Sequence, residues 1–267
     1  MASFMKYKDQ LKRTLEFDST PKRIVSLVPS QTELLVDLGL KSSIVGVTKF
    51  CVHPKNLRKD KLVVGGTKQV DFNNITLLNP DIILCNKEEN TKNMISELEK
   101  IAPVHISDIY NLQDALELIN MYGELFLAQD RANSILKVVR SEYQDFSKFI
   151  EDKPKLNVAY FIWKNPWMVA ASQTFIDHML KLNNYDNYFG NLERYPEVDL
   201  SAIKENLDLI LLSSEPYPFK SDHIKELEGQ FPNTKIMLVD GEYFSWYGSK
   251  LQYAFKYFKT LHPGLRH

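Results

Sequence analysis

The chain has 267 residues, of which 44% are apolar and 25% charged, and its 33 basic and 34 acidic residues nearly cancel. At roughly 100 to 200 residues per domain, this length predicts two domains or one two-lobed body. The balanced charge lacks the basic excess with which non-specific nucleic-acid binders collect phosphates, so no nucleic-acid partner is expected. Two cysteines, Cys51 and Cys85, exclude a framework of several disulfides.

The first residues of the chain carry several charges and no apolar stretch of the about seven or more residues that a signal-peptide core requires. No later apolar run approaches the roughly 20 residues that cross a bilayer. We therefore expect a cytoplasmic monomer without a membrane span. Removal of an upstream signal segment is the alternative.

Short runs rich in valine, isoleucine and leucine recur between amphipathic stretches, which is the pattern of buried parallel strands alternating with helices. The predicted class is α/β. The predicted strands cover residues 24–28, 44–47, 62–64, 81–85, 104–106, 156–163, 208–213 and 235–239. For the first helix, Ser30 and Glu33 form an S-x-x-E pattern that predicts a capping box, and Gly39 predicts the helix end.

A long amphipathic stretch without proline joins the two halves of the chain and predicts two helices that break near Asp130. The second of them would extend for about 35 Å, long enough to run along a whole domain. The predicted organisation is an N-terminal extension (1–20), an N-terminal α/β lobe (21–129), a connecting helix (130–153) and a C-terminal α/β lobe (154–267).

The segment DIILCNKEEN of the first half has an echo in DLILLSSEPY of the second half, and each is followed by a helix and another strand. If the echo reflects a duplication, the ends of equivalent strands face each other across a crevice between the lobes. Open α/β sheets bind ligands at the carboxyl ends of their strands.

Signatures of common catalytic and nucleotide-binding sites are absent from the sequence, among them G-x-S-x-G, H-E-x-x-H, the Walker loop and G-x-G-x-x-G. No catalytic residue and no covalent cofactor are predicted. Cys51 and His53 follow the second predicted strand at a spacing that would point both side chains the same way, as a metal pair requires. Glu88, Glu89 or Glu215 would have to complete such a site. The other interpretation is a buried thiol beside a loop histidine.

Aromatic residues are dense in the predicted loops, where they could hold a large flat ligand or simply pack in the core. They include Phe50, Trp163, Trp167, Tyr217, Phe219 and the segment 243–247. Nearby Lys49, Lys68 and Lys87 could meet carboxylates or phosphates of a ligand, although a solvated lysine is the commoner case.

Several motifs together resemble the helical-backbone substrate-binding proteins of ABC importers. They are KRIVSLVPSQTELLVDLGL, IVGVTKFCVHP, VVGG, LLNPDIILCNKEEN, RYPEVD, LDLILLSSEPYPF and DGEYFSWYGS, which together extend from residue 22 to about residue 260. The resemblance implies two α/β lobes joined by one long helix, and a non-enzymatic protein that binds cobalamin, haem or a ferric siderophore. The VGVTKFCVHP segment is most similar to the corrinoid-binding branch.

Carried over position by position, the resemblance implies ligand-facing residues in six loops. They are Ser30, Gln31, Lys49, Phe50, Cys51, Thr67, Lys68, Asn86, Lys87, Trp163, Trp167, Phe244, Trp246 and Tyr247, together with Gly66. We expect Phe50, Trp246 and Tyr247 to stack on a corrinoid, another tetrapyrrole or an iron chelate. Thr67 and Asn86 would hydrogen-bond its edge, and Lys68 and Lys87 would meet its acidic groups.

The family docks on the membrane permease through one glutamate in each lobe. The corresponding positions of this chain hold Asn73 and Leu200. Without these carboxylates, electrostatic docking on an ABC permease is doubtful. A shift of register would bring Asp71, Glu197 or Glu205 to these positions instead. A cytoplasmic metal-binding protein or enzyme that uses Cys51, His53 and nearby carboxylates is the alternative function.

Overall fold

The computed structural model describes residues 5–203 and 206–262. Glu205 and the ends of the predicted extension and C-terminal lobe, 1–4 and 263–267, lie outside the described residues. By its contacts the chain forms two compact units. Unit 1 comprises residues 5–109, 113–139 and 247–250, and unit 2 comprises residues 110–112, 140–203, 206–246 and 251–262.

Unit 1 is built on a parallel five-stranded sheet in the order β5-β4-β3-β6-β7. Its strands are β3 (Ile24–Ser26), β4 (Ile44–Val47), β5 (Leu62–Val63), β6 (Ile82–Asn86) and β7 (Val104–Ser107). The helices of this part of the chain are α1 (Pro29–Asp37), α2 (Leu57–Asp60), α3 (Phe72–Leu77), α4 (Lys92–Leu98) and α5 (Leu112–Leu125). Strands β3, β6 and β7 are buried along their whole length, and β3 and β6 are apolar except for their last residues, as burial in a parallel sheet requires.

A hairpin precedes this sheet, where the sequence predicted only an extension. Its strands β1 (Met5–Lys8) and β2 (Thr14–Phe17) pair antiparallel. The turn between them covers the edge strand β7 with side chains. Asp9 accepts from the Ile106 amide across 3.3 Å, and the guanidinium of Arg13 donates to the Val104 carbonyl. These bonds satisfy backbone groups of the edge strand that could otherwise pair with a strand of another molecule.

The start of α1 corrects the predicted capping box. The helix begins at Pro29 with Val28 as its N-cap, and no side chain caps it. Proline is favoured here because the first helical N–H has no partner inside the helix. The Ser30 hydroxyl has no hydrogen-bond partner among residues 5–203 and 206–262. The predicted role of Gly39 is confirmed, since it follows the helix with φ +82°.

The connecting region forms α5 and the 22-residue α6 (Gln129–Ile150), so the break near Asp130 is confirmed within a few residues. The helix supplies residues to both units, with 129–139 in unit 1 and 140–150 in unit 2.

Unit 2 contains a second mainly parallel sheet in the order β10-β8-β11-β12, with β9 antiparallel to β8. Its strands are β8 (Leu156–Trp163), β9 (Met168–Val169), β10 (Tyr185–Asn187), β11 (Leu209–Ser213) and β12 (Lys235–Val239). Its helices are α7 (Phe175–Leu182), α8 (Ser221–Glu228), α9 (Glu242–Ser245) and α10 (Leu251–Leu261), with a 3-10 turn at Leu200–Ala202. The sequence analysis missed β9 and β10, which are too short for a periodic signal.

The predicted α/β class with mostly parallel sheets is confirmed. The predicted bounds of β4, β8 and β12 agree with the structure. Within residues 5–203 and 206–262, no helix combines the length and the apolar character that a bilayer crossing demands.

Candidate functional site

Three loops of unit 1 lie side by side at the carboxyl ends of β4, β5 and β6. The Lys49 amide donates to the Gly65 carbonyl across 2.8 Å and joins the first loop to the second. The Asn90 side chain donates to the Thr67 carbonyl across 2.7 Å and joins the second to the third. The Lys68 ammonium also donates to the Glu88 carbonyl across 2.6 Å. The structure therefore brings together the predicted site residues of these three loops.

Phe50 gives this edge of the sheet an apolar surface, because 49% of the residue is exposed. The Lys49 ammonium lies 5.0 Å from the centroid of its ring. Gly66 borders the same ring, and a Cβ on it would lie 3.3 Å from a Phe50 ring carbon. Lys49, Lys68 and Lys87 are also exposed. An accessible ring with one ammonium group beside it and two further exposed lysines on the neighbouring loops can hold a flat ligand with acidic substituents.

Asn86 ends β6 and is buried, so its side chain serves the loop that follows. It donates to the Ser107 hydroxyl across 3.0 Å. Its carbonyl oxygen accepts from the amides of Glu88 and Glu89 across 2.8 and 3.1 Å. These bonds fix the loop that presents Lys87, whose ammonium is 2.7 Å from Asp108.

Gln31 is the centre of a buried polar network. Its amide nitrogen donates to the Ser107 hydroxyl across 2.5 Å, and its oxygen accepts from the Tyr122 hydroxyl across 2.6 Å. The amide nitrogen also lies 3.5 Å from the hydroxyl of Tyr247, which itself donates to Glu89 across 3.3 Å. Burial raises the pKa of Tyr247 well above its usual value. The sequence analysis missed both Ser107 and Tyr122. Ser107 could have been predicted from its position directly after the predicted strand 104–106, whereas nothing in the sequence indicated Tyr122.

Cys51 is buried, and its sulfur lies 3.1 Å from the Thr32 hydroxyl and 3.3 Å from the Thr48 hydroxyl. Burial raises the pKa of this thiol. His53 is half-buried two residues further on. In the described parts of the chain, no group of three or more histidine, cysteine, aspartate or glutamate side chains converges as a metal site. This arrangement does not support the predicted metal pair with Glu88, Glu89 or Glu215.

The aromatic residues after β8 in unit 2 differ in their exposure. Trp163 is exposed, and its ring meets Tyr217 edge-on at 5.5 Å between centroids. Trp167 is half-buried and stacks on Phe219 with an interplanar angle of 8°. Trp163 therefore offers the larger contact surface to a ligand.

The rings of Phe244 in α9 and of Trp246 and Tyr247 directly after it are buried. Phe244 packs against Tyr160 and Phe258 with centroid distances of 5.1 and 4.7 Å, as a core residue does. Its burial does not support the expected ligand contact. Trp246 and Tyr247 are only 7% and 6% exposed, which limits the expected stacking.

Glu215 follows β11, at the position that the sequence echo pairs with the loop after β6. One carboxylate oxygen accepts from the Ser245 hydroxyl across 2.7 Å and from the Trp246 indole across 2.8 Å. Burial raises the pKa of this carboxyl, and the nearby Glu242 and Asp240 add to the effect. Glu215 was predicted only as a metal ligand; here it positions the Trp246 ring.

The two positions that correspond to the docking glutamates of the family lie on short helical elements. Asn73 is exposed on α3, and Leu200 is half-buried against the core of unit 2. Asp71 caps α3 by accepting from the Asn74 amide across 3.0 Å, and Glu197 is exposed.

The family model described as "Periplasmic binding protein" matches residues 24–230. The substrate-binding lipoprotein YvrC of Bacillus subtilis, an uncharacterised ABC transporter component, is 27% identical over 200 residues. That match covers 72% of this chain and 63% of YvrC. The vitamin B12-binding protein of Vibrio vulnificus is 24% identical over 192 residues, or 68% of this chain and 67% of that protein.

Among solved structures, the petrobactin-binding protein YclQ of Bacillus subtilis superposes with a TM-score of 0.80 at 19% identity. The superposition covers 99% of each chain. At this identity the likeness concerns the fold. The family match covers well over half of the chain, and the two parallel sheets and α6 agree with it. The chain belongs to the periplasmic binding protein family, whose members are binding proteins rather than enzymes.

Proposed function

We propose that this protein binds a flat, metal-containing small molecule without transforming it, as the ligand-binding component of an ABC importer. A corrinoid is the first candidate, and haem or another iron chelate the next. The family match supports a binding role. The names of the vitamin B12-binding and petrobactin-binding relatives support a metal-containing ligand.

One observation carries the proposal: the exposed ring of Phe50 at the carboxyl edge of the unit 1 sheet, with Lys49 beside it. Parallel sheets present their ligand sites at this edge. A large exposed aromatic ring costs free energy in water, and stacking on a planar ligand recovers it.

The charges of this edge favour an acidic ligand. The ammonium groups of Lys49, Lys68 and Lys87 are exposed near the loops that Asn86 and Asn90 tie together. Haem carries carboxylates and cobalamin a phosphodiester, and lysine meets either as a point charge. Thr67 can add a hydroxyl to the edge of the ligand.

An ABC permease is the partner that family membership favours. Asn73 and Leu200 carry no charge, so they contribute no electrostatic attraction to basic residues of a permease. We expect docking to depend on apolar and hydrogen-bonding contacts, and its rate to vary little with salt.

The test compares two single aromatic substitutions in the full chain. Phe50→Ala removes the proposed stacking ring, and Tyr253→Ala removes a ring of α10 that is 58% exposed and lies outside the proposed site. Binding of cobalamin, cobinamide and haem is measured by native mass spectrometry and by quenching of tryptophan fluorescence. We expect a one-to-one adduct with one of them, weakened about fivefold by Phe50→Ala because stacking contributes about 1 kcal/mol.

Tyr253→Ala should leave the affinity unchanged. Equal affinities of all three proteins would remove Phe50 from the site. If no tetrapyrrole binds the unsubstituted protein and iron chelates also fail, the proposed ligand class is wrong.

A further inference from the structure

A small cavity lies in unit 1, beside the N-terminal hairpin and remote in sequence from the loops discussed above. Its volume is about 130 Å³. An engineered cavity of about 150 Å³ accommodates a benzene molecule, so the space here suits a ligand of a few heavy atoms. The lining residues come from β1, β7 and α5: Lys6, Tyr7, Lys8, His105, Met121, Glu124 and Leu125.

His105 is the unusual member of this lining. Only 1% of the residue is exposed, and neither ring nitrogen has a hydrogen-bond partner among residues 5–203 and 206–262. Its ring meets Tyr122 edge-on at 5.3 Å. A buried polar group without a partner costs about 1 to 3 kcal/mol. A bound molecule in the cavity would remove that cost.

The charges around the cavity favour an anion. Lys6 and Lys8 lie on the same face of β1, and Glu124 is the one carboxylate of the lining. Lys6 pairs with Glu16 across 2.7 Å, and Glu124 accepts from Asn120 across 2.8 Å. Within the described residues, Lys8 has no ion-pair partner. Asp9 and Arg13, whose charges act on the pKa of His105, are paired with each other across 2.7 Å.

Burial lowers the pKa of His105 to about 4, so its imidazole is neutral at physiological pH. A neutral imidazole offers one N–H donor and one nitrogen acceptor. Hydrogen phosphate and bicarbonate match it, because each carries acceptor oxygens and one O–H donor. Sulfate has acceptors only.

We infer that this cavity binds a small oxyanion that carries a proton, with Lys8 as its counter-ion and His105 as its hydrogen-bond partner. Such an ion would join β1 to β7 and α5. It would thereby hold the hairpin that covers the edge of the sheet. The assignment of this anion does not rest on the proposed ligand site at Phe50.

The experiment titrates the full chain, labelled with ¹⁵N in its histidine rings, with inorganic phosphate at pH 7 and constant ionic strength. The His105 ring signals are assigned with His105→Gln. We expect a saturable shift of these signals with phosphate or bicarbonate and a weaker one with sulfate. Amide hydrogen exchange at residues 5–8 and 104–107 should slow on binding, a readout that requires no variant.

Lys8→Met should weaken the effect about tenfold, because a charge-assisted hydrogen bond is lost. Lys22→Met is the matched control, since it removes one exposed charge of the same unit outside the cavity. The inference is wrong if the His105 signals do not respond to any of the anions, or respond equally in both variants. A crystal structure grown with phosphate that shows only water in the cavity would also overturn it.

Discussion

Trp246 donates its indole N–H to the carboxylate of Glu215 across 2.8 Å, and the next residue, Tyr247, donates its hydroxyl to Glu89 across 3.3 Å. The first bond lies in unit 2 and the second in unit 1. Each glutamate follows a central strand of its own sheet, β11 or β6. Two consecutive aromatic side chains are therefore held by glutamates from equivalent loops, although the sequence echo aligns Glu215 with Glu88, the neighbour of Glu89.

Glu215→Gln should preserve the bonds from Ser245 and Trp246, because the amide oxygen can accept both. Since burial raises the pKa of Glu215 in the folded protein, the folded state keeps this proton at pH values where the unfolded chain has lost it. The free energy of unfolding of the unsubstituted protein should therefore fall as the pH rises from about 4.5 through the folded pKa. The free energy of unfolding of Glu215→Gln should not show this decrease with pH. At pH 7 the variant should be at least as stable as the unsubstituted protein.

Urea unfolding between pH 4 and 8 measures this difference. Glu228→Gln, on the exposed end of α8, is the control with the same change of charge. Glu215→Leu should cost about 1 to 3 kcal/mol, because it leaves the indole N–H without this acceptor. Parallel pH profiles for Glu215→Gln and the unsubstituted protein would contradict the assignment.

Gly241→Ala should destabilise unit 2 by about 1 to 3 kcal/mol. A Cβ at this position would overlap the Ser213 hydroxyl and lie 2.8 Å from the Cγ of Glu215. The backbone of Gly241 is in the ordinary helical region, so the effect is steric alone. Gly229→Ala is the matched control: its Cβ would have 3.7 Å of space to the Glu226 carbonyl and should be neutral or slightly stabilising. Similar urea midpoints for the two variants would show that the contact at Gly241 relaxes.

Lys250→Met should destabilise unit 1 by about 3 to 5 kcal/mol, because it leaves the Glu33 carboxylate buried without its partner. The two groups lie 3.1 Å apart, and their side chains are only 12% and 17% exposed. Burial already raises the pKa of Glu33, and Lys250 opposes that shift. The destabilisation caused by Lys250→Met should therefore be smaller at acidic pH, where Glu33 takes up a proton.

Denaturant unfolding at pH 7 and pH 5 measures both effects. Lys256→Met removes a comparable pair with Glu142, in which the lysine is 67% exposed, and should cost less than about 1 kcal/mol. Adding Glu33→Gln to Lys250→Met should recover most of the loss. A double variant as unstable as the single one would mean that Lys250 acts through packing rather than charge.

The sequence predicted the strands well where both faces are buried. The apolar runs of β4 and β8 gave the correct bounds, because such runs are the direct consequence of burial in a parallel sheet. The bounds of β12 were also correct, although this strand is partly exposed. The capping box at Ser30 failed because Pro29 took the first helical position and moved the helix start. The hairpin β1–β2 escaped prediction since its strands are short and half-exposed.

For the candidate site, the sequence by itself determined which loops follow the strands and which residue types they carry, because strand order along the chain already places Lys49, Phe50, Thr67 and Lys87 at strand ends. Only the tertiary structure decided which of these side chains reach the surface. Phe50 is exposed, whereas Phe244 lies in the core, although both come a few residues after a strand. Burial depends on contacts between residues distant in the chain, such as Gln31 with Tyr122 and Phe244 with Tyr160, and no local pattern encodes those partners.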